Sequence, residues 1–586
     1  MERKIFERLR INIMNSLSKI KKHLADKVNV SAGGSFINPA DFTYPQNSGF
    51  GDLSLACFSL AKEFKKNPAE TAKELAEKIK GDNIISEVKT AGPYLNFTLN
   101  VSELAKPGLK EIAKEKNKYG ANKGGKRKKI MLEYAHPNTH KAFHIGHLRN
   151  IITGEAVARI MGVNGFKVIR ANYQGDVGLH IAKCLWGINK LTAEYEAATG
   201  KPIEEKVKFL GRAYALGSEN YEASAEVKSE IIKINKQIYS KDETIKATYE
   251  KTRDWSLEYF NNIYKRLGTK FDRLYFESEV FLSGKKIVLE NLKKSIFEKS
   301  NGAIIFPGEK YGLHSRVFIN SEGFPTYEGK DAGLAELQFK EYKPEKIIHI
   351  VATEQNEYFK VIIKAIEEIF PKLKGVEIHL PYGWVRLKDG KMSSRLGNVV
   401  LGEWLLDEVA KKIAVIAKEN KNAGDREEVI RKVSLGAVKY SILKSGINKE
   451  IVFDIDESIS LSGASGPYVQ YAYARIESIF RKAKDLPGKK IKANLENLSH
   501  PKEHQIILKL AKYPEIIEKA GANYDPAEVA KYLFELAQAV NDYYHDAPVL
   551  KADAKIREAR LTLLKAVNQV IKNGLYLLGI ETLEEM

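Results

Sequence analysis

The chain has 586 residues, room for about four domains at roughly 150 residues each, and its 44% hydrophobic and 29% charged residues suit a protein with real cores. Lys and Arg number 94 against 75 Asp and Glu, a net charge of +19 that favours a polyanionic partner such as nucleic acid over a basic background alone. No apolar run reaches the ~18–20 residues of a spanning helix, the charged start Met1–Arg8 is unlike a secretory signal, and Cys57 and Cys184 are too few for a disulfide framework or a thiolate zinc site, so a reduced, cytoplasmic protein without a membrane partner is expected.

Residues 1 to about 120 mix helical patterns with one sheet-like tract, Tyr94-Leu95-Asn96-Phe97-Thr98-Leu99. A basic stretch at 121–129, with Lys123, Lys126, Arg127, Lys128 and Lys129 and no acid, reads as a solvated linker. From Lys129 the pattern becomes strand, loop, helix, strand. Ile130–Tyr134 is a short apolar run; Leu148, Ile152, Ala156 and Ile160 form an i, i+4 ladder for a helix over about 146–162; Phe166-Lys167-Val168-Ile169 starts the next strand. One βαβ unit of this kind implies a parallel sheet with a right-handed crossover, and so an α/β fold. Charged helices over about 185–265 read as an insertion, and strand-like segments return at 347–352 and 376–380. Beyond about 400 the pattern is helical, with periodic tracts at 467–483 and 526–547 and Pro526 placed for a helix start.

Two segments carry chemistry. The first, Glu133 through His147, joins a strand's carboxyl end to a helix start, where open α/β sheets bind ligands and where N–H groups and the helix dipole favour phosphate. His144 and His147 can donate charge-assisted hydrogen bonds there, and Gly146 lets a ligand approach the backbone. Two histidines three apart are also compatible with zinc, although no acidic or thiolate partner is suitably spaced. The second segment, Asp389-Gly390-Lys391-Met392-Ser393-Ser394-Arg395-Leu396-Gly397-Asn398, is a glycine-flanked loop whose cations suit a developing pyrophosphate; alone it reads equally as an exposed basic turn.

His-Ile-Gly-His followed about 245 residues later by Lys-Met-Ser-Ser-Arg resembles the paired signatures of class I aminoacyl-tRNA synthetases. The run from Glu133 through Pro137-Asn138 to Arg149-Asn150, the segment Asn172–Gly178, Tyr327–Asp331, Pro467–Ala472 with Ala474–Ile476, and the end from Tyr543 to Ile580 resemble the arginyl-tRNA synthetase family in particular, over about residue 40 to Met586. The pattern Lys-Met-Ser-Lys-Ser of the wider class is not met: Ser394 stands at its second lysine and Arg395 follows, as is common in arginyl enzymes.

The resemblance implies a Rossmann-type catalytic domain, an α+β N-terminal domain that touches the tRNA elbow, and an all-helical C-terminal anticodon-binding domain. The expected division is 1–120, 121–385 with the insertion, 386–455 for the mobile signature loop and connecting helices, and 456–586. It implies ATP-dependent attachment of arginine to tRNA(Arg) through an arginyl-adenylate, with magnesium accompanying the nucleotide and no dedicated metal site in the protein. His144, His147, Lys141 and Lys391 carry catalysis, with Lys141 supplying the charge missing at Ser394. By the same resemblance, ATP is bound by His144, Gly146, His147, Lys391, Met392, Ser393 and Arg395. L-arginine is bound by Glu133, Asn138, Tyr327, Asp331 and Gln355, and a D-loop nucleotide by Tyr94 and Asn96. An acidic site agrees with the guanidinium on its own chemistry, since Tyr327 and Asp331 sit four apart on one helix face and planar carboxylate recognition suits arginine. Tyr468, Tyr471, Tyr473 and Arg475 are candidates to stack on anticodon bases or to pack a core. A monomer is the family's habit. Against this stand another class I synthetase, a small nucleotidyltransferase, and a non-catalytic tRNA-binding paralogue.

Overall fold

A computed structural model of the chain describes residues 15–45, 47–388, 395–396, 399–419, 426–484 and 493–586. The N-terminal part opens with the helix Ser16–Ala32, whose Leu17, Ile20, Leu24 and Val28 recur every three or four residues and are buried. They share a core with an antiparallel sheet of β1 (Phe42–Thr43), β2 (Leu53–Ala56), β3 (Ile85–Ala91) and β4 (Tyr94–Leu99), in the order β1-β2-β4-β3. Along β4, Leu95, Phe97 and Leu99 point into this core.

The basic stretch at 121–129 is not the free linker expected from its composition. Its lysines are exposed, but Gly124 and Gly125 are buried, and the backbone N–H groups of Asn122, Gly125 and Arg127 donate to the carbonyls of Val163, Asn164 and Gly165. A Cβ on Gly125 would come within 2.5 Å of the Phe166 ring, so close packing is why glycine stands there.

The central sheet is parallel throughout. It contains β5 (Lys129–Glu133), β6 (Lys167–Gln174), β7 (Arg273–Phe276), β8 (Lys346–Ala352) and β9 (Glu377–Tyr382), in the order β9-β8-β5-β6-β7. Strand β5 is apolar at successive positions because both faces are covered: Ile130 and Leu132 meet the helix Ile145–Val163, while Met131 meets a cluster with Val280 and Leu334. From β5 the chain steps first to β6 and β7 on one side, and later to β8 and β9 on the other. The strand order therefore reverses between β5 and β8, which opens a crevice at their carboxyl ends. The insertion is five helices, Leu179–Lys190, Thr192–Thr199, Ile203–Ala223, Ala225–Ser240 and Glu243–Leu267.

The helix Ile145–Val163 carries the expected ladder and is buried on nearly every side. Its Arg149, 2% exposed, donates to the carbonyls of Trp384 (2.6 Å), Ile447 (3.0 Å) and Lys449 (2.8 Å), tying the sheet to the helices beyond it. An Arg149→Ala variant leaves three acceptors unpaired at ~1–3 kcal/mol each, so urea denaturation is expected to show a loss of more than about 3 kcal/mol. A loss below 1 kcal/mol would mean water replaces the guanidinium.

The C-terminal part is a bundle of Gly466–Lys484, Pro501–Asn523, Ala527–Asp546 and Ala554–Leu577. The N-terminal part rests against it through Tyr119 stacked on Tyr513, Tyr44 and Lys21 on Glu515, and Asp52 on His504. Among the described residues no helix is long and apolar enough to cross a membrane.

Candidate active site at the sheet switch point

The connection from β5 to its helix is held in an uncommon shape. Ala135, His136 and His140 all have positive φ (85°, 50° and 62°), a conformation that costs a non-glycine residue energy unless its surroundings impose it. Here they do. The N–H of Ala135 donates to Asn150 Oδ1 (2.7 Å), that of His136 to Asn172 Oδ1 (3.1 Å), and that of His140 to Ser256 Oγ (3.0 Å) of the insertion. The His140 ring, pushed down to a pKa of about 3 by burial and then by Arg253, is a neutral strut between Thr139 and Thr252.

At the helix start His144 and His147 stack, with ring centroids 3.7 Å apart. The N–H of Gly146 donates to His144 Nδ1 (3.1 Å), and the N–H of His144 donates to His147 Nδ1 (3.2 Å). An Nδ1 that accepts carries no proton, so each ring presents Nε2–H as its donor. Burial, and then the Lys141 charge, lower His144 to about 4; burial, His144, His136 and Lys141 hold His147 well below its ordinary value. In the empty site both rings are therefore neutral donors at pH 7, where the sequence led to an expectation of charge-assisted bonds. Lys141 itself is half-buried, with Nζ 5.6 Å from the Tyr214 ring centroid.

The second signature returns to the first. Arg395 pairs antiparallel with Val400, after which Leu401 bridges to His144 and the N–H of Gly402 donates to the Phe143 carbonyl (3.0 Å). Gly402 faces Phe143 so closely that a Cβ would lie 2.7 Å from the ring. The backbone of Arg395 is thus placed on the first signature's side; Lys391, Met392 and Ser393 lie outside the described residues.

Beside this, at the switch point, is a cavity of about 410 Å³. Glu133, Tyr327, Asp331 and Gln355, four of the five residues expected for the amino acid, line it. Tyr327 opens the helix Tyr327–Tyr342 and Asp331 follows one turn on, as their spacing requires. Asn138 does not line the cavity; its Oδ1 lies over Gly175, where a Cβ would approach to 2.1 Å.

Several lining residues were not singled out from the sequence. Tyr358 donates to Asp331 Oδ2 (2.7 Å), Gln338 donates to Glu133 Oε2, and His349 lies between Glu133 Oε1 (2.9 Å from Nδ1) and Glu377 Oε2 (2.5 Å from Nε2). The only signal was a histidine inside the otherwise apolar strand Lys346-Ile347-Ile348-His349-Ile350-Val351.

The electrostatics favour a cation. Lys330 is paired to Glu277 (2.5 Å) and Arg316 to Glu328 (3.0 Å), whereas among the described residues Asp331 has no cationic partner. Burial, outweighing the Tyr358 bond, pushes the Asp331 carboxyl up to about 8. His136 Nε2, the Tyr173 hydroxyl, Gln338 Oε1 and Glu377 Oε1 are buried without hydrogen-bond partners among the described residues, and all four residues line the cavity. Buried polar atoms left open in this way mark a ligand's place.

Elsewhere, Tyr94 is 41% exposed and meets exposed Phe58 edge-on (6.2 Å), but Asn96, on the same strand face, is only 3% exposed. The expectation that both meet a nucleotide therefore narrows to Tyr94. In the bundle, Tyr473 is 7% exposed and belongs to the core, and Tyr468 accepts from Asn541. Tyr471 and Arg475 line a surface cleft with Arg481, Lys482 and Tyr544.

Comparison with known proteins agrees with this layout. Residues 108–455 match the family described as tRNA synthetases class I (R), catalytic domain; residues 469–586 match the DALR anticodon binding domain; residues 15–99 match the arginyl tRNA synthetase N terminal domain. The chain is 34% identical over 543 residues to the arginine–tRNA ligase of Halothermothrix orenii, covering 92% of this chain and 95% of that one. It is 35% identical over 597 residues to that of Borreliella afzelii, covering 98% and 99%. The structure of Thermus thermophilus arginyl-tRNA synthetase superposes with a TM-score of 0.78 at 26% identity, covering 97% of this chain and all of that one.

Proposed function

The chain belongs to the arginyl-tRNA synthetase family of class I, and on that premise we propose how its residues divide the work. The reaction is the ATP-dependent attachment of arginine to tRNA. The arginine carboxylate attacks the α-phosphorus, pyrophosphate leaves, and the arginyl group of the adenylate passes to the 2′-hydroxyl of the terminal adenosine. Such chemistry is positioning and charge stabilisation, with no enzyme nucleophile.

Arginine occupies the cavity, its guanidinium towards Asp331 and Tyr327, with Glu133 and Gln355 on its other sides. The observation that carries this is Asp331: a buried acid with no cationic partner among the described residues, in a cavity whose Arg316 is already paired to Glu328. Asn138 acts from its place over Gly175. ATP lies over the first signature, the Nε2–H groups of His144 and His147 and the backbone at Gly146 meeting its phosphates. Lys141 and Lys391 supply the positive charge, with Met392, Ser393 and Arg395 completing the nucleotide site. Magnesium accompanies the ATP phosphates; among the described residues no group of three or more His, Cys, Asp or Glu is placed to hold a metal, so no ligand set is assigned.

Tyr94 stacks on a tRNA elbow base, with Asn96 reached only if the strand's cover moves, and Tyr471 with Arg475 faces the anticodon. The parts act as 1–120, 121–385, 386–455 and 456–586, in a cytoplasmic monomer. A Tyr94→Ala variant is expected to weaken tRNA binding by about 1–3 kcal/mol, the worth of one stacked base, without lowering arginine affinity. A filter-binding titration equal to wild type would remove Tyr94 from the interface.

The overall test is ATP–pyrophosphate exchange with each of the twenty amino acids, with and without unfractionated tRNA. Exchange with arginine, dependent on tRNA, is expected. Exchange with another amino acid would overturn the acidic-pocket assignment, and none at all would favour a tRNA-binding paralogue.

A further inference from the structure

The cavity's floor is built from three neighbouring strands and one helix. Glu133 ends β5, and His349 sits directly beside it in register on β8. Glu377 begins β9, and Gln338 reaches over from the helix Tyr327–Tyr342. The side chains of Glu133, His349 and Glu377 are 4%, 10% and 1% exposed. A neutral imidazole has one N–H, yet both ring nitrogens of His349 face carboxylate oxygens, at 2.9 and 2.5 Å. Only the imidazolium donates to both.

We infer that His349 is a positioning residue of the amino-acid site: bridging Glu133 and Glu377 through its two ring nitrogens, it fixes the Glu133 carboxylate and holds the cavity floor at one negative charge beside Asp331. The inference rests on the arginine pocket proposed above.

The charges add up in a definite way. The three groups together carry one negative charge, and the neighbours do not change that: His379, beside His349 on β9, is brought down to about 4 by burial and donates through Nε2 to Val351, and His136 is also held neutral by burial. Tyr173 from β6 and Phe359 from the helix Asn356–Ile369 close the sides without charge. Asp331 is the remaining acid. Burial alone would raise Glu133, but the His349 charge and hydrogen bond outweigh it and hold the carboxyl below its ordinary value. Burial likewise opposes the His349 charge, and the two glutamates overcome it, keeping the ring protonated well above its ordinary range. Gln338 and His349 together occupy one lone pair on each Glu133 oxygen. The carboxylate is thereby fixed in plane with its remaining lone pairs free for a ligand.

Without the cation, two buried carboxylates would face each other across a small gap, and one would take up a proton that arginine must expel. His349→Gln is therefore expected to raise the arginine KM at pH 7 at least tenfold while leaving the ATP KM within twofold. Calorimetry in buffers of different ionisation enthalpy should then show more protons released on arginine binding than in the wild type.

The double variant His349→Gln, Glu377→Gln restores a single negative charge and removes the acidic neighbour. Arginine KM and proton release are expected to return to within threefold and to the wild-type count. A double variant no better than the single, both being folded, would overturn the charge-setting role and leave His349 as packing. Unchanged arginine KM in His349→Gln would overturn it directly. If Asp331→Asn also leaves arginine KM untouched, the pocket assignment has failed, whatever His349 does.

Discussion

Replacing Asp331 by Asn is expected to raise the arginine KM by about thirtyfold or more with little change in the ATP KM. The side chain is nearly isosteric, so the loss is one of charge. Removing one member of a buried, hydrogen-bonded charge pair costs about 2–5 kcal/mol, and each 1.4 kcal/mol is a factor of ten. The variant should keep its fold. Asp331 titrates near 8 in the empty pocket against an ordinary value of 3.8, so between those values the unfolded chain is ionised while the folded one keeps its proton. Stability from this group therefore falls as pH rises through that window, and Asn removes the penalty. Asp331→Asn is expected to melt no lower than wild type at pH 7–8. Unchanged arginine kinetics would remove Asp331 from the site, and a large fall in Tm would recast it as structural.

The same carboxyl gives the wild type a pH dependence with a definite sign. Below pH 8 the empty pocket holds a proton that the guanidinium displaces, since an adjacent cation favours the ionised form. Arginine KM is therefore expected to fall as pH rises from 6 to 8 and then to level, and Asp331→Asn should flatten that slope.

How far the sequence anticipated this site depends on whether a residue's work is local. The βαβ unit, the ladder Leu148, Ile152, Ala156 and Ile160, and the pairing of Tyr327 with Asp331 are set by spacing along one element, and the structure keeps them. His349 and Glu377 act only because β8 and β9 lie on the far side of β5, a neighbourhood created by the reversal of strand order. No local pattern encodes that. The state of His144 and His147 was also out of reach, because neutrality follows from burial and from two backbone N–H groups that occupy Nδ1. The burial of Asn96 was out of reach for a related reason, and at Tyr473 the same reason decides between the two open readings in favour of the core: alternation assigns a face, but what covers that face comes from elsewhere in the chain. The stretch 121–129 looks like a solvated linker by composition, and only the nearness of Phe166 and Gly165 makes Gly125 a packing residue.

Neutral histidines at the first signature shift the burden of charge to the lysines. A neutral N–H donor is roughly half as strong towards an anion as a charged one, so stacked imidazoles with Nε2–H can orient a phosphate but supply no net charge to a departing pyrophosphate. Lys141 stands in the same connection, near enough for its charge to depress both rings. A Lys141→Ala variant is accordingly expected to slow pyrophosphate exchange by about 10²–10³, the usual effect of losing one preorganised donor at a transition state. Its tRNA affinity should stay within twofold, and Lys141→Arg should recover part of the rate. With arginine and ATP saturating, the wild-type exchange rate should show no inflexion near pH 6.5 from His144, which is held at about 4 in the empty site. An inflexion there would mean that a charged histidine shares the phosphate work. Weak tRNA binding with a normal exchange rate in Lys141→Ala would instead place that lysine on the RNA surface.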